Sequence, residues 1–218
     1  EKKQLGISFI CCEMDRPGVT LKPIITIDGK HALNMVTFED VRVPADYLIG
    51  EEGKGWTYSQ YLLGFERTSY ARIGGKRKQL SHIRALATAE PTGGNTKLID
   101  DDAFARQLTD ADMAVDGLEM TVLRVLSAVK DGGSPGMEAS IINILATETA
   151  QQITTLYLNV AAAHGQRKFE DSVSPDWTGH SDYAAPGVST YFGARAQSIY
   201  GGTNEIQKNI IAKRVLGL

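Results

Sequence analysis

Residues 100–131 read DDDAFARQLTDADMAVDGLEMTVLRVLSAVKD, and this stretch decides the fold class. Phe104, Leu108, Ala111, Val115, Leu118, Val122, Val125 and Val129 recur at steps of three and four, which puts them on one face of an α-helix. Asp100, Asp101 and Asp102 stand at its start, where the helix dipole favours carboxylates, and Asp131-Gly132-Gly133 ends it. A helix with one apolar face needs partners, and the flanking sequence supplies them. From Trp56 to about Glu90 the pattern is again helical, until Pro91-Thr92-Gly93-Gly94-Asn95 stops it. Ser134-Pro135 opens a further helix with a cap and a proline in its first turn. Ile141, Leu145, Thr149, Ile153, Leu156 and Val160 are expected to carry its buried stripe. A polar and aromatic loop then runs from Gly165 to Gly187, and a fourth helix starts near Ser189 and breaks at Gly201-Gly202. The expectation is an antiparallel four-helix bundle over residues 51–218.

Residues 1–50 have a different chemistry. Leu5 to Cys12 is a short apolar run, Val19 to Ile24 alternates, and Ala32 to Phe38 leads to Pro44, with turn signals at Asp15-Arg16-Pro17-Gly18 and Asp28-Gly29. Three or four strands are too few to close a sandwich, so this part reads as a truncated β domain. The fold class is therefore mainly α, with a few strands preceding the bundle. Gly50-Glu51-Glu52-Gly53-Lys54-Gly55 separates the two compositions and reads as a hinge-like linker. The first residue, a glutamate in mid-pattern, suggests a chain that starts inside a larger protein.

With 218 residues and a formal net charge of −3, neither nucleic acid nor an anionic membrane surface is the expected partner. Lys76-Arg77-Lys78 reads as a solvated helix face. No apolar run reaches the length of a membrane span. Cys11 and Cys12 are adjacent, which fits buried thiols in a reducing compartment, the cytoplasm, better than a disulfide framework. No His, Cys and carboxylate cluster has metal-ligand spacing.

The closing run, Tyr200-Gly201-Gly202-Thr203-Asn204-Glu205-Ile206-Gln207, carries the clearest sign of a site. The glycine pair lets the backbone leave helical geometry and admits close approach. Thr203 is a suitable N-cap and Glu205 sits in the first turn, with Ile206, Ile210 and Ile211 as the face to bury. Free N–H groups at such a start can receive a polar or anionic ligand, and an ordinary helix break explains the same residues.

Taken in order, these segments resemble the acyl-CoA dehydrogenases, flavoproteins that oxidise the α–β bond of an acyl thioester. The likeness covers the whole chain. Asp15-Arg16-Pro17-Gly18-Val19 and Phe38-Glu39-Asp40-Val41-Arg42-Val43-Pro44-Ala45 resemble the family's middle β domain. Leu63-Gly64-Phe65-Glu66-Arg67 resembles the first helix of its C-terminal bundle, and Ile199 to Leu218 its closing segment beside the flavin. The resemblance implies FAD as cofactor, with Gly201, Gly202, Thr203 and Glu205 as contacts, and an acyl-CoA substrate. It also implies a homotetramer or heterotetramer and an electron-transfer flavoprotein as acceptor.

Removal of the α proton needs a carboxylate of raised pKa, while the flavin takes the β hydride. In many members that base follows the closing tyrosine, where this chain has Gly201. A minority carry it just before an arginine on the first bundle helix, where this chain has Glu66 followed by Arg67. The resemblance therefore gives Glu66 as base and Arg67 as a contact to the CoA portion, with a simple Glu66–Arg67 ion pair as the alternative. A second departure is His164-Gly165-Gln166-Arg167-Lys168-Phe169 in place of the usual glutamine-rich turn. It resembles the large subunits of bacterial members such as pimeloyl-CoA dehydrogenase, some of which work as heteromers. A non-catalytic or partly catalytic partner subunit is accordingly the alternative function, with a plain oligomerisation bundle third.

Overall fold

The computed structural model describes residues 2–130, 138–161 and 184–218, the side chains of residues 64–69, 138, 184 and 185 excepted. Ser134-Pro135, the His164 to Phe169 run and His180 lie outside the described residues. The backbone groups into two units, Glu1–Thr26 with Lys30–Glu66, and Ile27–Gly29 with Arg67–Leu218.

In the first unit, β1 (Val19–Ile25) pairs antiparallel with β2 (His31–Phe38), from Val19 opposite Phe38 to Ile24 opposite Leu33, with an irregularity at Ile24/Ile25. Gly18 has φ +90°, and a β-carbon there would collide with the Glu39 carbonyl, so the turn requires glycine. The apolar run from Leu5 to Cys12 does not form a strand. A 3-10 turn at Lys3–Gly6 precedes extended backbone whose sheet pairing is the single bridge Ile10–Leu48. In consequence Cys11 is exposed and Cys12 half-buried, against the expectation of buried thiols.

The glycine run at residues 50–55 is packed rather than hinge-like. The Ser8 hydroxyl accepts from the Gly53 N–H at 2.9 Å, and the Ile7 carbonyl accepts from the Gly55 N–H at 2.8 Å. Tyr58 fills the space beside Gly50, and its hydroxyl accepts from the Glu51 N–H at 2.9 Å. Helix α1 (Gly55–Ser69) follows directly.

The expected single helix from Trp56 to Glu90 is two. After α1 the chain turns at Tyr70 and Ala71, passes Arg72 in left-handed geometry (φ 41°, ψ 45°), and restarts as α2 (Ile73–Ala89). A small hairpin, β3 (Pro91–Gly93) with β4 (Thr96–Lys97), leads to α3 (Asp102–Lys130), where Asp101 Oδ1 accepts from the Phe104 N–H at 2.8 Å. Then come α4 (Glu138–Ala161), α5 (Ala184–Arg195) and α6 (Asn204–Arg214). Helix α5 begins earlier than Ser189 because Pro186 lies in its first turn, where a missing N–H costs no intrahelical bond.

Side-chain partners fix the helix directions. Arg77 and Arg84 of α2 pair with Asp116 and Glu119, and with Asp112, of α3, so the two helices run antiparallel. Leu118 clusters with Ile142 and Ala146, while Phe104 clusters with Leu156 and Val160, so α4 runs antiparallel to α3. Tyr157 touches Gly187, whereas Gln151 and Thr154 bond at Arg195, so α5 runs antiparallel to α4. Helix α4 packs on α2, α3, α5 and α6 and is the centre of the bundle. That centrality shifts its buried stripe. Ile153, Leu156, Val160 and Thr149 are buried as expected, but Ile141 is 38% exposed and Ile142 and Asn143 point inward instead.

Candidate functional site

The site grows from the way α5 hands the chain to α6. Arg195 donates to the Gln151 carbonyl at 2.9 Å and to Thr154 Oγ1 at 3.0 Å, and its guanidinium lies over the Tyr191 ring at 4.3 Å. Gln151 in turn donates to Ser198 Oγ at 3.1 Å. These contacts pin the end of α5 and the 3-10 turn Ala196–Ser198 to the central helix, and so locate the closing turn.

Gly201 and Gly202 have φ of +71° and +97°. Both conformations are ones that L side chains resist, and both glycines are also crowded. A β-carbon on Gly201 would meet the hydroxyl of Tyr70, and one on Gly202 would meet the amide of Gln207. A side chain at 201 would therefore be strained by the backbone and would have to displace the Tyr70 ring.

Thr203 is the N-cap of α6, its hydroxyl oxygen accepting from the Ile206 N–H at 3.2 Å. Its hydroxyl hydrogen serves Glu205, whose carboxyl is held below its ordinary value by its own backbone N–H, by the Thr203 hydroxyl and by Lys208. Glu205 is exposed, so an ionised carboxylate with spare lone pairs faces outward beside the turn.

The face that α6 buries differs only in part from expectation: Ile210 and Ile211 are half-buried. Ile206 is 52% exposed, and the inward positions are Asn204 and Gln207. Asn204 Oδ1 lies 3.1 Å from the hydroxyl of Thr147 on α4, while Gln207 donates weakly to the Gly202 carbonyl at 3.5 Å. Apolar periodicity missed this polar seam because its partners come from a distant helix.

The elbow between α1 and α2 was also missed. Ala71 is buried, and its carbonyl accepts from the ammonium of Lys76 at 2.9 Å. Lys76 is only 5% exposed, against the expectation of a solvated face, whereas Arg77 and Lys78 are exposed as expected, Arg77 being paired with α3. Burial, with Arg72 adding repulsion, pushes the Lys76 pKa down to about 8. Tyr200 is pushed up, first by burial, with Tyr70 and Arg72 near enough to act on it in opposite senses. Tyr70, Arg72, Tyr200 and Gly201 are thus brought together.

Glu66 and Arg67 occupy successive positions on the backbone of α1, and their side chains lie outside the described residues. Among the described residues there is no group of His, Cys, Asp and Glu able to hold a metal ion, and no helix long and apolar enough to cross a membrane.

Comparison with known proteins places these features in a family context. Residues 53–216 match the family model described as acyl-CoA dehydrogenase, C-terminal domain. The chain is 30% identical over its whole length to acyl-CoA dehydrogenase IpdE1 of Mycobacterium tuberculosis, covering 52% of that protein. It is 27% identical to the bovine mitochondrial short-chain specific acyl-CoA dehydrogenase, over 97% of this chain and 48% of that one. A chain in the crystal structure of the ChsE4–ChsE5 complex from Mycobacterium tuberculosis superimposes with a TM-score of 0.81 at 25% identity, covering 100% of this chain and 54% of that one. The chain spans about half the length of the curated relatives it matches.

Proposed function

Because the chain belongs to the acyl-CoA dehydrogenase family, we propose that it is the C-terminal part of an FAD-dependent dehydrogenase that introduces an α,β double bond into an acyl-CoA thioester. The observation that carries this reading is the closing turn. Two crowded glycines in left-handed geometry present a capped helix start and an exposed, ionised carboxylate. Those groups suit a ligand rich in hydroxyl and N–H donors, as FAD is, so the residues present fit the cofactor. When bound, FAD accepts the β hydride. Gly201, Gly202 and Thr203 would hold it at the glycine turn, and Glu205 would accept hydrogen bonds from its donors.

The proton chemistry falls to Glu66. Gly201 offers no carboxylate, while Glu205 lies four residues on, is held below its ordinary pKa, and is assigned to the flavin. Glu66 takes the α proton on a carboxylate oxygen, and Arg67 holds the CoA portion so that the α carbon meets that oxygen. Residues 1–50 form part of a middle β domain, and residues 51–218 the bundle domain. The working assembly is a homotetramer or heterotetramer in the cytoplasm that passes electrons to an electron-transfer flavoprotein. In its natural length the protein is expected to be yellow and to bleach on addition of acyl-CoA. A colourless protein indifferent to acyl-CoA refutes the reading.

A second reading is favoured by Gly201 itself and by the likeness to a chain of a two-component complex. In it the chain is a partner subunit, wholly or partly non-catalytic, that lends the closing turn to a flavin held largely elsewhere. Activity that arises only on mixing with a second, related polypeptide distinguishes this from the first reading.

A further inference from the structure

Helix α2 buries Lys76, Leu80, Ile83 and Ala87, a stripe at helical spacing whose first member is a charged residue. At 5% exposure Lys76 does not extend its ammonium to water, as a lysine at the edge of an apolar face ordinarily does. Burying that charge is unfavourable unless the ammonium has a partner, and the partner is informative. The left-handed break at Arg72 leaves the Ala71 carbonyl without a helical continuation. Lys76 closes both ends of that break. Its backbone N–H donates to the Arg72 carbonyl at 3.1 Å and so forms the first turn of α2. Its ammonium reaches back to the Ala71 carbonyl at 2.9 Å.

The residue before Ala71 is Tyr70, whose hydroxyl occupies the space beside Gly201. A chain of direct contacts therefore runs from Lys76 through the elbow to the closing turn. We infer that Lys76 is a positioning residue: by clamping the elbow it seats Tyr70 under Gly201 and fixes the turn Gly201–Thr203 against which the cofactor lies. The role of that turn rests on the proposed function above. The elbow itself does not.

The test uses the protein in its natural length and two variants. Lys76→Met keeps the volume and removes the donor, and Lys76→Gln restores a neutral donor. Hydrogen exchange at the amide of residue 76 reads the elbow without any cofactor, and fluorescence titration with FAD reads the turn. The loss of one charge-assisted hydrogen bond corresponds to about tenfold, so the Met variant should exchange about tenfold faster and bind FAD about tenfold more weakly. Its melting temperature should stay near that of the parent, because removing a buried charge offsets the lost bond. The Gln variant should recover part of both effects. Unchanged exchange in Lys76→Met overturns the clamp, and faster exchange with unchanged FAD affinity overturns the positioning role. Equal weakening in both variants with a lower melting temperature reduces Lys76 to packing and overturns the inference. A parent protein that takes up no FAD refutes the flavin reading instead, while the exchange measurement still decides the clamp.

Discussion

The hydroxyl of Tyr70 stands where a β-carbon on Gly201 would have to be. A residue from the start of the bundle therefore borders the closing turn, and a side chain at 201 would have to displace it and accept backbone strain. Gly201→Ala should destabilise the protein by about 2–4 kcal/mol, combining strain at φ +71° with the clash against Tyr70. Gly201→Glu, which would place a carboxylate after the closing tyrosine, should be worse and should give no active enzyme. Denaturant melts of these variants alone and with Tyr70→Ala check the packing part, since the double variants should recover some of the loss.

The capping role of Thr203 predicts a separable effect. Thr203→Ala should cost about 1 kcal/mol by removing the acceptor for the Ile206 N–H, whereas Thr203→Ser should retain most of it. The alanine variant should also raise the Glu205 pKa, because the hydroxyl that helps hold it down is gone. Thermal denaturation and carboxyl titration by NMR measure the two consequences.

Lys76 makes stability depend on alkaline pH. Its folded pKa of about 8 lies below its ordinary value of 10.5, so between them the unfolded chain binds more protons than the folded one. Stability from this group should be flat below about pH 8 and should rise as pH rises towards 10.5. Lys76→Met should abolish that rise. Urea melts across this range, parent against variant, provide the comparison.

The base assignment predicts that Glu66→Gln lowers turnover by about 10²–10⁴-fold while FAD uptake stays unchanged. Stopped-flow measurement of flavin reduction by acyl-CoA reads the step directly. Full reduction at the parental rate would move the chemistry elsewhere.

The bundle core gives a control for folding. Leu118 is fully buried against Ile142, Ala146 and Ala71, so Leu118→Ala should cost about 2–5 kcal/mol. Chemical denaturation should register that loss whether or not the chain carries a flavin.

How much of this was legible beforehand follows from the range of the interactions involved. The stripe on α3 was readable residue by residue, because an apolar face at 3.6-residue period has one way to leave water. Phe104, Leu108, Ala111, Val115, Leu118 and Val125 are all buried in the structure. The hairpin of β1 and β2 and the Thr203 cap were legible for the same reason, since turn glycines and N-caps act within a few residues of themselves. Mainly helical architecture and family membership follow from such local signals taken in order.

The parts that needed the folded molecule all depend on partners distant in sequence. Gly74-Gly75 is the local signal near the break at Arg72, but both glycines lie inside α2, and the left-handed residue itself is neither glycine nor proline; the Lys76 ammonium that meets the Ala71 carbonyl becomes visible only in the folded chain. The fully buried positions of α6 are polar because the hydroxyl of Thr147, 57 residues earlier, donates to Asn204 Oδ1, so apolar periodicity selected Ile206 wrongly. The glycine pair was evident from the sequence as a break. That the Tyr70 hydroxyl lies against Gly201, so that a side chain there would meet it, is decided only where two ends of a bundle meet. Local chemistry chooses helices, turns and caps. The closing turn acquires its shape from steric exclusion and buried hydrogen bonds between helices, and those exist only after the chain has packed.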